Sequence, residues 1–342
     1  MRAFVLDRAA TSVDAIGLGA TSTSADAHVR SPTQYLAGGT TLFDLMKLQV
    51  MNPARLVDIS GLRAEHGRIV ALEDGLWLGA LVRMSEAEED SSVRRDYPVI
   101  RDSLCQAASP QLRNMASLGG NVLQRTRCTY FRDTTYHACN KREPGTGCAA
   151  LEGCNRRLAV LGTSGACIAH YPGDFAVALV ALGAEVSVLS TDGRERTFAF
   201  EDLHRVPGET PHIETNLVPG DLITGFKVPA HAWTRRSRYV KVRDRASYDF
   251  ALASAAVALD LEGDVVRAVR IGLGGLATKP WRAHEAEAAL IGRRLDKASA
   301  REAAAAALAG AAAHGDVAFK IELGRRTLVR ALLETQAMEV SA

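Results

Sequence analysis

No stretch of this chain stays apolar for the ~18 residues that a membrane-spanning helix requires. The longest candidate, residues 175–189, is broken by Glu185. No membrane span is therefore expected, and the small-residue run at 303–313 reads as a helix rather than a lipid-facing segment. Charge of one sign is missing too. The 41 Lys and Arg against 39 Asp and Glu leave a formal net charge of +2. That excludes a general nucleic-acid binder, which needs a strongly basic face. Asp7 and Asp14 fall where a secretory leader would be apolar, so no targeting signal is expected. Such a chain is expected to be cytoplasmic, or periplasmic by co-export with a signal-bearing partner. The paired Cys-x-x-Cys knuckles of structural zinc sites are absent. So is the C-x₄-C-x₂-C spacing of plant-type ferredoxins, and no internal repeat is found.

What is present is a soluble globular composition, 47% hydrophobic, in a chain of 342 residues. That length is long for one core and suggests two or three units. Five of the six cysteines, Cys128, Cys139, Cys148, Cys154 and Cys167, fall within 40 positions in a polar, Gly-rich segment. In a chain without a secretion signal, such a cluster favours metal or redox work over disulfides. Cys105 lies apart on an apolar helical face and reads as a small hydrophobe.

A first strand at 3–8 and a short helix at 12–18 open the chain. Leu36-Ala37-Gly38-Gly39-Thr40-Thr41-Leu42-Phe43 then joins a short strand to an amphipathic helix. Glycines there admit a bulky anionic group to the backbone, and a helix start offers amides to phosphate. The same pattern also serves a plain strand–helix connection with a Thr cap. Strands are expected at 55–60, 69–72, 76–79, 185–189, 196–200 and 222–228, with hairpin turns at 73–75 and 191–193. Helices are expected from residue 85, at 99–108 and at 175–182. A linker at 231–236 precedes strands at 239–243, 251–261 and 265–273. Helices at 280–291, 298–312 and 317–338 complete a separate α+β module.

The segments AGGTTLFDLMK (37–47), RNMASLGGN (113–121), PGDFAVALVALGA (172–184), PGDLITGFKVP (219–229) and YVKVRDRASYDFALAS (239–254) occur in the order found in one family. The chain resembles the FAD-binding medium subunit of molybdenum hydroxylases, and within that group the flavin subunit of bacterial aldehyde oxidoreductases. The resemblance spans residues 1–337. It implies an α+β chain with two domains. Residues 1–230 would form a FAD-binding domain of the vanillyl-alcohol-oxidase type, with two subdomains. Residues 237–338 would form a C-terminal domain of the CO dehydrogenase flavoprotein type.

Carried over residue by residue, Leu36 to Phe43 would wrap the FAD pyrophosphate with backbone amides. Ser117, Gly120 and Asn121 would form a second phosphate- and ribityl-contacting turn. Asp174 would accept from a sugar hydroxyl. Ile223 or Thr224 would pack on the flavin ring. Lys241 would stand near the pyrimidine edge, where a cation favours the charge that develops on reduction.

Ordinary members pass from GGN to the acidic residue within a few positions, whereas about 40 are inserted here, around residues 122–170. The insertion resembles those of aldehyde oxidoreductase flavin subunits and hydroxybenzoyl-CoA reductase, which hold a 4Fe–4S cluster. Four thiolates are required. Cys128, Cys139 and Cys148 follow the related pattern. Cys167 is preferred to Cys154 as the fourth, because a ligand close to Asp174 closes the long loop at both ends. His137 and His170 flank these ligands and read as satisfied loop histidines.

The resemblance further implies a heterotrimer with a large molybdopterin subunit and a small subunit carrying two 2Fe–2S clusters. This chain would take their electrons to an external acceptor, with no catalytic residue of its own. The rival readings are a self-contained flavin oxidase or dehydrogenase, a xanthine dehydrogenase flavin subunit, and a non-enzymatic FAD storage or assembly protein.

Overall fold

The computed structural model describes residues 1–20 and 31–340. Its strands fall into three sheets among these residues. The first is parallel, with Arg55–Asp58 between Val5–Arg8 and Thr33–Leu36. Parallel neighbours need crossovers, and the helix Ser12–Gly19 lies in the first of them. The helix Leu42–Lys47 follows the second strand.

The second sheet is antiparallel, in the order Ile69–Leu72, Gly75–Gly79, Leu222–Pro229, Glu185–Leu189, Glu195–Ala199. Both expected hairpins close it at its edges. The third sheet, also antiparallel, runs Trp281–Arg282, Val265–Gly274, Ala253–Glu262, Ser237–Val242.

Strand Ala253–Glu262 shows why this third sheet must be covered twice. Ala253, Ala255, Val257 and Leu259 join one core, while Ala256 and Ala258 join another. A period of two sends alternate side chains to opposite faces. The 18-residue helix Phe319–Gln336 covers the first face through Leu328, Ala331 and Leu332. The helix Asp174–Leu182 covers the second, and all nine of its residues are buried. A β-carbon at Gly272 would stand 2.5 Å from the carbonyl oxygen of Val177, so that helix rests almost on the strand backbone. Its other side packs on Val186, Phe226 and Val228 of the five-stranded sheet.

Between residues 123 and 173 the chain has one short helix, Thr129–Arg132, and otherwise turns and isolated bridges. In sequence this segment lies inside the first domain. Its apolar side chains nevertheless share a core with the C-terminal helices, Phe131, Leu158, Val160 and Ile168 standing with Leu273, Leu276 and Leu328. Backbone bonds tie it there: Val160 N–H donates to Leu276 (2.7 Å) and Tyr171 N–H to Ala277 (3.0 Å). Lys320, fully buried in the last helix, donates from Nζ to the carbonyls of Leu158 (2.8 Å) and Gly275 (2.5 Å).

Element boundaries depart from the sequence reading in several places. The helix expected at 280–291 is Trp281–Arg282 in strand pairing, followed by a helix at His284–Leu290. Leu273 and Gly272 pair with Trp281 and Arg282, and Ala283 leaves helical geometry at φ −96°, ψ 65°. The next helix ends at Ala307 rather than residue 312. Short helices at Pro110–Arg113 and Leu118–Val122 were not expected. Among the described residues no helix is long and apolar enough to cross a membrane.

Candidate functional site

A cleft with a cavity volume of about 230 Å³ lies where the first two sheets meet the cysteine-bearing segment. Ala37 to Leu42 form one wall, Ser117, Gly119 and Gly120 a second, and Gly220 to Ile223 a third. The glycines are there for close approach. A β-carbon at Gly38 would run into the Met115 carbonyl, which joins the first two walls. Gly39 turns the chain at φ +72°, a left-handed conformation that L side chains resist. Ser117 caps the helix Leu118–Val122, its Oγ accepting from the Gly120 amide at 3.2 Å. Tyr35 closes the cleft at one end, donating from its hydroxyl to the Gly220 carbonyl at 2.6 Å.

Of the residues expected to touch a flavin, Ala37, Gly38, Gly39, Thr40, Thr41, Leu42, Ser117, Gly120 and Ile223 line this cleft. Leu36, Phe43 and Asn121 stand behind the lining. The Phe43 ring packs over Gly39. The Asn121 Oδ1 is buried without a partner while its Nδ2 faces the Met84 sulfur at 3.3 Å. Narrow glycine-built walls, with a buried acceptor behind them, fit a dinucleotide whose phosphates approach the backbone.

Asp174 and Lys241 are placed elsewhere. They bond each other at 2.8 Å, with side chains 5% and 1% exposed, and neither lines the cleft. Asp174 also accepts from the Tyr239 hydroxyl at 2.6 Å. Lys241 donates to the Gln106 carbonyl at 3.0 Å. The resemblance assigns both to the cofactor, and in this fold they also satisfy one another.

The far end of the cleft holds charged residues that the sequence reading did not single out. Glu214 pairs with Arg125 at 2.5 Å and with Lys141 at 2.9 Å. Burial works against the Glu214 carboxylate, but Arg125 and Lys141 outweigh it and hold its pKa below the usual range. Burial likewise works against the Lys141 ammonium, and Glu214 beside it keeps its pKa above that of an ordinary lysine. His204 donates from Nε2 to the Val122 carbonyl at 2.9 Å, the other nitrogen then being bare. Burial pulls its pKa down to about 4.

Beyond this end lies a void of about 10 Å³, lined by Cys128, Cys139, Cys148 and Cys167 together with Tyr130, Phe131 and Ala169. Cys139 and Cys148 face each other across an isolated antiparallel bridge. Arg142 reaches back to the carbonyls of Tyr130 (2.6 Å) and Phe131 (2.9 Å), fixing the helix that follows Cys128. Asn140 ties the next turn, donating to the Ala166 carbonyl at 3.1 Å and accepting from the Gly147 amide at 2.8 Å. The Ala169 amide faces the Cys167 sulfur at 3.5 Å.

Burial pushes the Cys128 thiol up to about 12 and also raises Cys139 and Cys167. A metal that binds these thiols must displace their protons. Cys154 is exposed and lines neither cavity. Among the described residues no three His, Cys, Asp or Glu gather closely enough for a single ion. One ion would need its thiolates all about 2.3 Å from a common centre. Four cysteines around one void match the ligand count of a four-iron cluster, which takes one thiolate to each iron.

His170 is not a satisfied loop histidine: it is buried with no hydrogen-bond partner at either ring nitrogen. Burial first, then the charges of Lys320, Arg127 and Arg157, lower its pKa to about 3. Cys105 is only partly buried and donates from its thiol to Glu88 at 3.0 Å. Burial and that carboxylate push it up to about 11.

Cleft and domain order together are those of a flavin-binding oxidoreductase chain. Residues 8–231 match the FAD binding domain in molybdopterin dehydrogenase, and residues 238–335 match the CO dehydrogenase flavoprotein C-terminal domain. The chain belongs to this family of FAD-binding molybdopterin dehydrogenase proteins. It is 44% identical over 304 residues to the aldehyde oxidoreductase FAD-binding subunit PaoB of Escherichia coli (strain K12), across 89% of this chain and 92% of that one. The glyceraldehyde dehydrogenase medium chain of Sulfolobus acidocaldarius is 28% identical, across 77% of this chain and 75% of its own. A chain of carbon monoxide dehydrogenase from Hydrogenophaga pseudoflava superposes with a TM-score of 0.74 at 23% identity, 98% of each chain being covered. A chain of quinoline 2-oxidoreductase from Pseudomonas putida 86 does so with 0.73 at 21% identity, again over 98% of each. At those identities the likeness is one of fold.

Proposed function

We propose that this chain is the FAD-binding electron-transfer subunit of a molybdenum-dependent aldehyde oxidoreductase. The observation that carries the reading is the pairing of a glycine-walled cleft with a four-cysteine void in one chain. The similarity to an aldehyde oxidoreductase FAD-binding subunit over nine-tenths of the chain supports the substrate class. Residues 1–230 would form the flavin domain and 237–338 the C-terminal domain. Ala37 to Leu42, Ser117 and Gly120 would hold the FAD, and Ile223 would pack on its ring.

Cys128, Cys139, Cys148 and Cys167 would hold a 4Fe–4S cluster on this subunit. Bound there, flavin and cluster supply the electron-carrying chemistry. The chain's own residues bind them, orient them and keep water from the sulfurs. A large molybdopterin subunit would oxidise the aldehyde, and a small 2Fe–2S subunit would deliver the electrons.

The test is purification of the chain expressed with its neighbouring subunits. Flavin, iron and molybdopterin should co-purify, and an aldehyde should bleach the flavin only in the assembled complex. Bleaching by this chain alone would favour the self-contained flavin oxidase, and flavin that no aldehyde reduces in any complex would sink the reading.

A further inference from the structure

Among the described residues, Lys141, Cys167 and Ala169 alone line both the cleft and the four-cysteine void. They form the wall between the two cavities, and Lys141 is the charged member of that wall. Its Nζ donates to Glu214 at 2.9 Å and to the Pro211 carbonyl at 3.0 Å, which fixes where the charge sits. Glu214 is shared with Arg125 at 2.5 Å. The Arg125 guanidinium in turn lies 4.9 Å from the centre of the Phe131 ring, itself part of the void's lining.

Two cations and one carboxylate leave this triad with one net positive charge. Arg125 matters to that sum, because without it Glu214 would cancel Lys141. Inside a wall of low dielectric such a charge acts strongly on both sides. An electron arriving at a metal–sulfur centre or a flavin adds negative charge, and a fixed cation beside either favours the reduced form.

We propose that Lys141 is a positioning residue that holds one net positive charge between the iron–sulfur cluster and the flavin and so raises the reduction potential of both. This rests on the reading of the two cavities given under Proposed function. The step it governs is simple in its balance. One electron would enter the cluster from a 2Fe–2S centre of the partner subunit or, in the titration, from dithionite, which is oxidised in turn; no bond forms or breaks at the cluster and no proton is required. Glu214 sets the position of the ammonium, and Arg125 keeps the sum positive.

The experiment uses the assembled complex, with iron and flavin counted per chain before any titration. The cluster is then titrated with dithionite and mediators and followed by electron paramagnetic resonance. Lys141→Met should make cluster reduction at least tenfold less favourable, a fall of about 59 mV for one electron. Glu214→Gln should shift the potential upward, and Lys141→Arg should restore the wild-type value.

A residue that only ties the loop together cannot move the potential in opposite directions at Lys141 and Glu214. Unchanged potentials, or a downward shift in both variants, in protein with full iron and flavin overturn the inference. If Lys141→Met does not assemble, Glu214→Gln decides alone: an upward shift supports the inference and any other result overturns it. Wild-type complex lacking iron on this chain overturns the underlying reading instead, which separates the two failures.

Discussion

The carboxylate of Asp174 and the ammonium of Lys241 meet at 2.8 Å, joining the first turn of a buried helix to a strand of the C-terminal sheet. Both are almost wholly out of water, so neither charge can stand alone. Lys241→Met should destabilise the protein by about 3–5 kcal/mol, because it strands a buried carboxylate. The double variant Asp174→Asn with Lys241→Met should recover more than half of that loss. Urea unfolding of the single and double variants measures both. If the double variant is no better than the single, the pair is not what sets the cost.

Glycines in this chain divide into those that touch something and those that do not. Gly38→Ala drives a β-carbon into the Met115 carbonyl. It should cost about 1–3 kcal/mol of stability and lower the flavin retained per chain. Gly17, inside the helix Ser12–Gly19, has nothing within 4 Å of where a β-carbon would stand. Gly17→Ala should therefore stabilise by about 0.5–1 kcal/mol and leave flavin content unchanged. Thermal melts and the flavin-to-protein absorbance ratio report the contrast.

The cysteines give a comparison by iron analysis. Cys167→Ser removes a buried thiol from the void and should leave the purified subunit with little iron. Cys154→Ser alters an exposed side chain and should leave iron at the wild-type level. Iron lost with Cys154 and kept without Cys167 would move the fourth ligand to residue 154.

Acid should loosen the fold through its buried histidines. His170 is held to about 3 and His204 to about 4, chiefly by burial, against about 6.5 for an unfolded histidine. Below pH 6.5 the unfolded chain takes up protons that the folded chain refuses, so stability falls as pH falls. The loss runs from about pH 6.5 down to the folded values. Between pH 7 and 5 each histidine contributes about 2 kcal/mol of that loss. His170→Leu should shrink the difference in unfolding free energy between those two pH values by its own share. An unchanged difference would mean that His170 titrates alike in the folded and unfolded chains.

Much of the fold can be read locally. Asp74-Gly75 and Asp192-Gly193 mark hairpins because each glycine sits where the chain must reverse, Gly193 at φ +82°. The alternation of Ala253–Glu262 is equally plain, although the sequence does not say that both faces are covered. The glycine walls of the cleft were legible for the same reason: Gly-Gly before a helix is a local signal.

Long-range partnerships left no such trace. Lys141 and Glu214 lie 73 residues apart, and Lys141 sits in a polar loop like any solvated lysine. Asp174 and Lys241, 67 residues apart, were each noticed singly as a contact for the cofactor. Nothing in either neighbourhood shows that two opposite charges, both destined for the interior, will find each other. Trp281 and Arg282 have helix-compatible neighbours and become strand only because Leu273 and Gly272 offer them pairing.

The shared core of the cysteine-bearing segment and the last helices also limits how this chain can be engineered. Phe131, Val160 and Ile168 roof the same apolar interior as Leu328, and the buried amine of Lys320, its pKa lowered to about 7 by burial, is bolted to the segment's carbonyls. The segment is therefore no cassette. Excising it would bare a greasy floor and orphan a buried donor. Grafting it onto a sister chain would require the matching helix and lysine to travel with it.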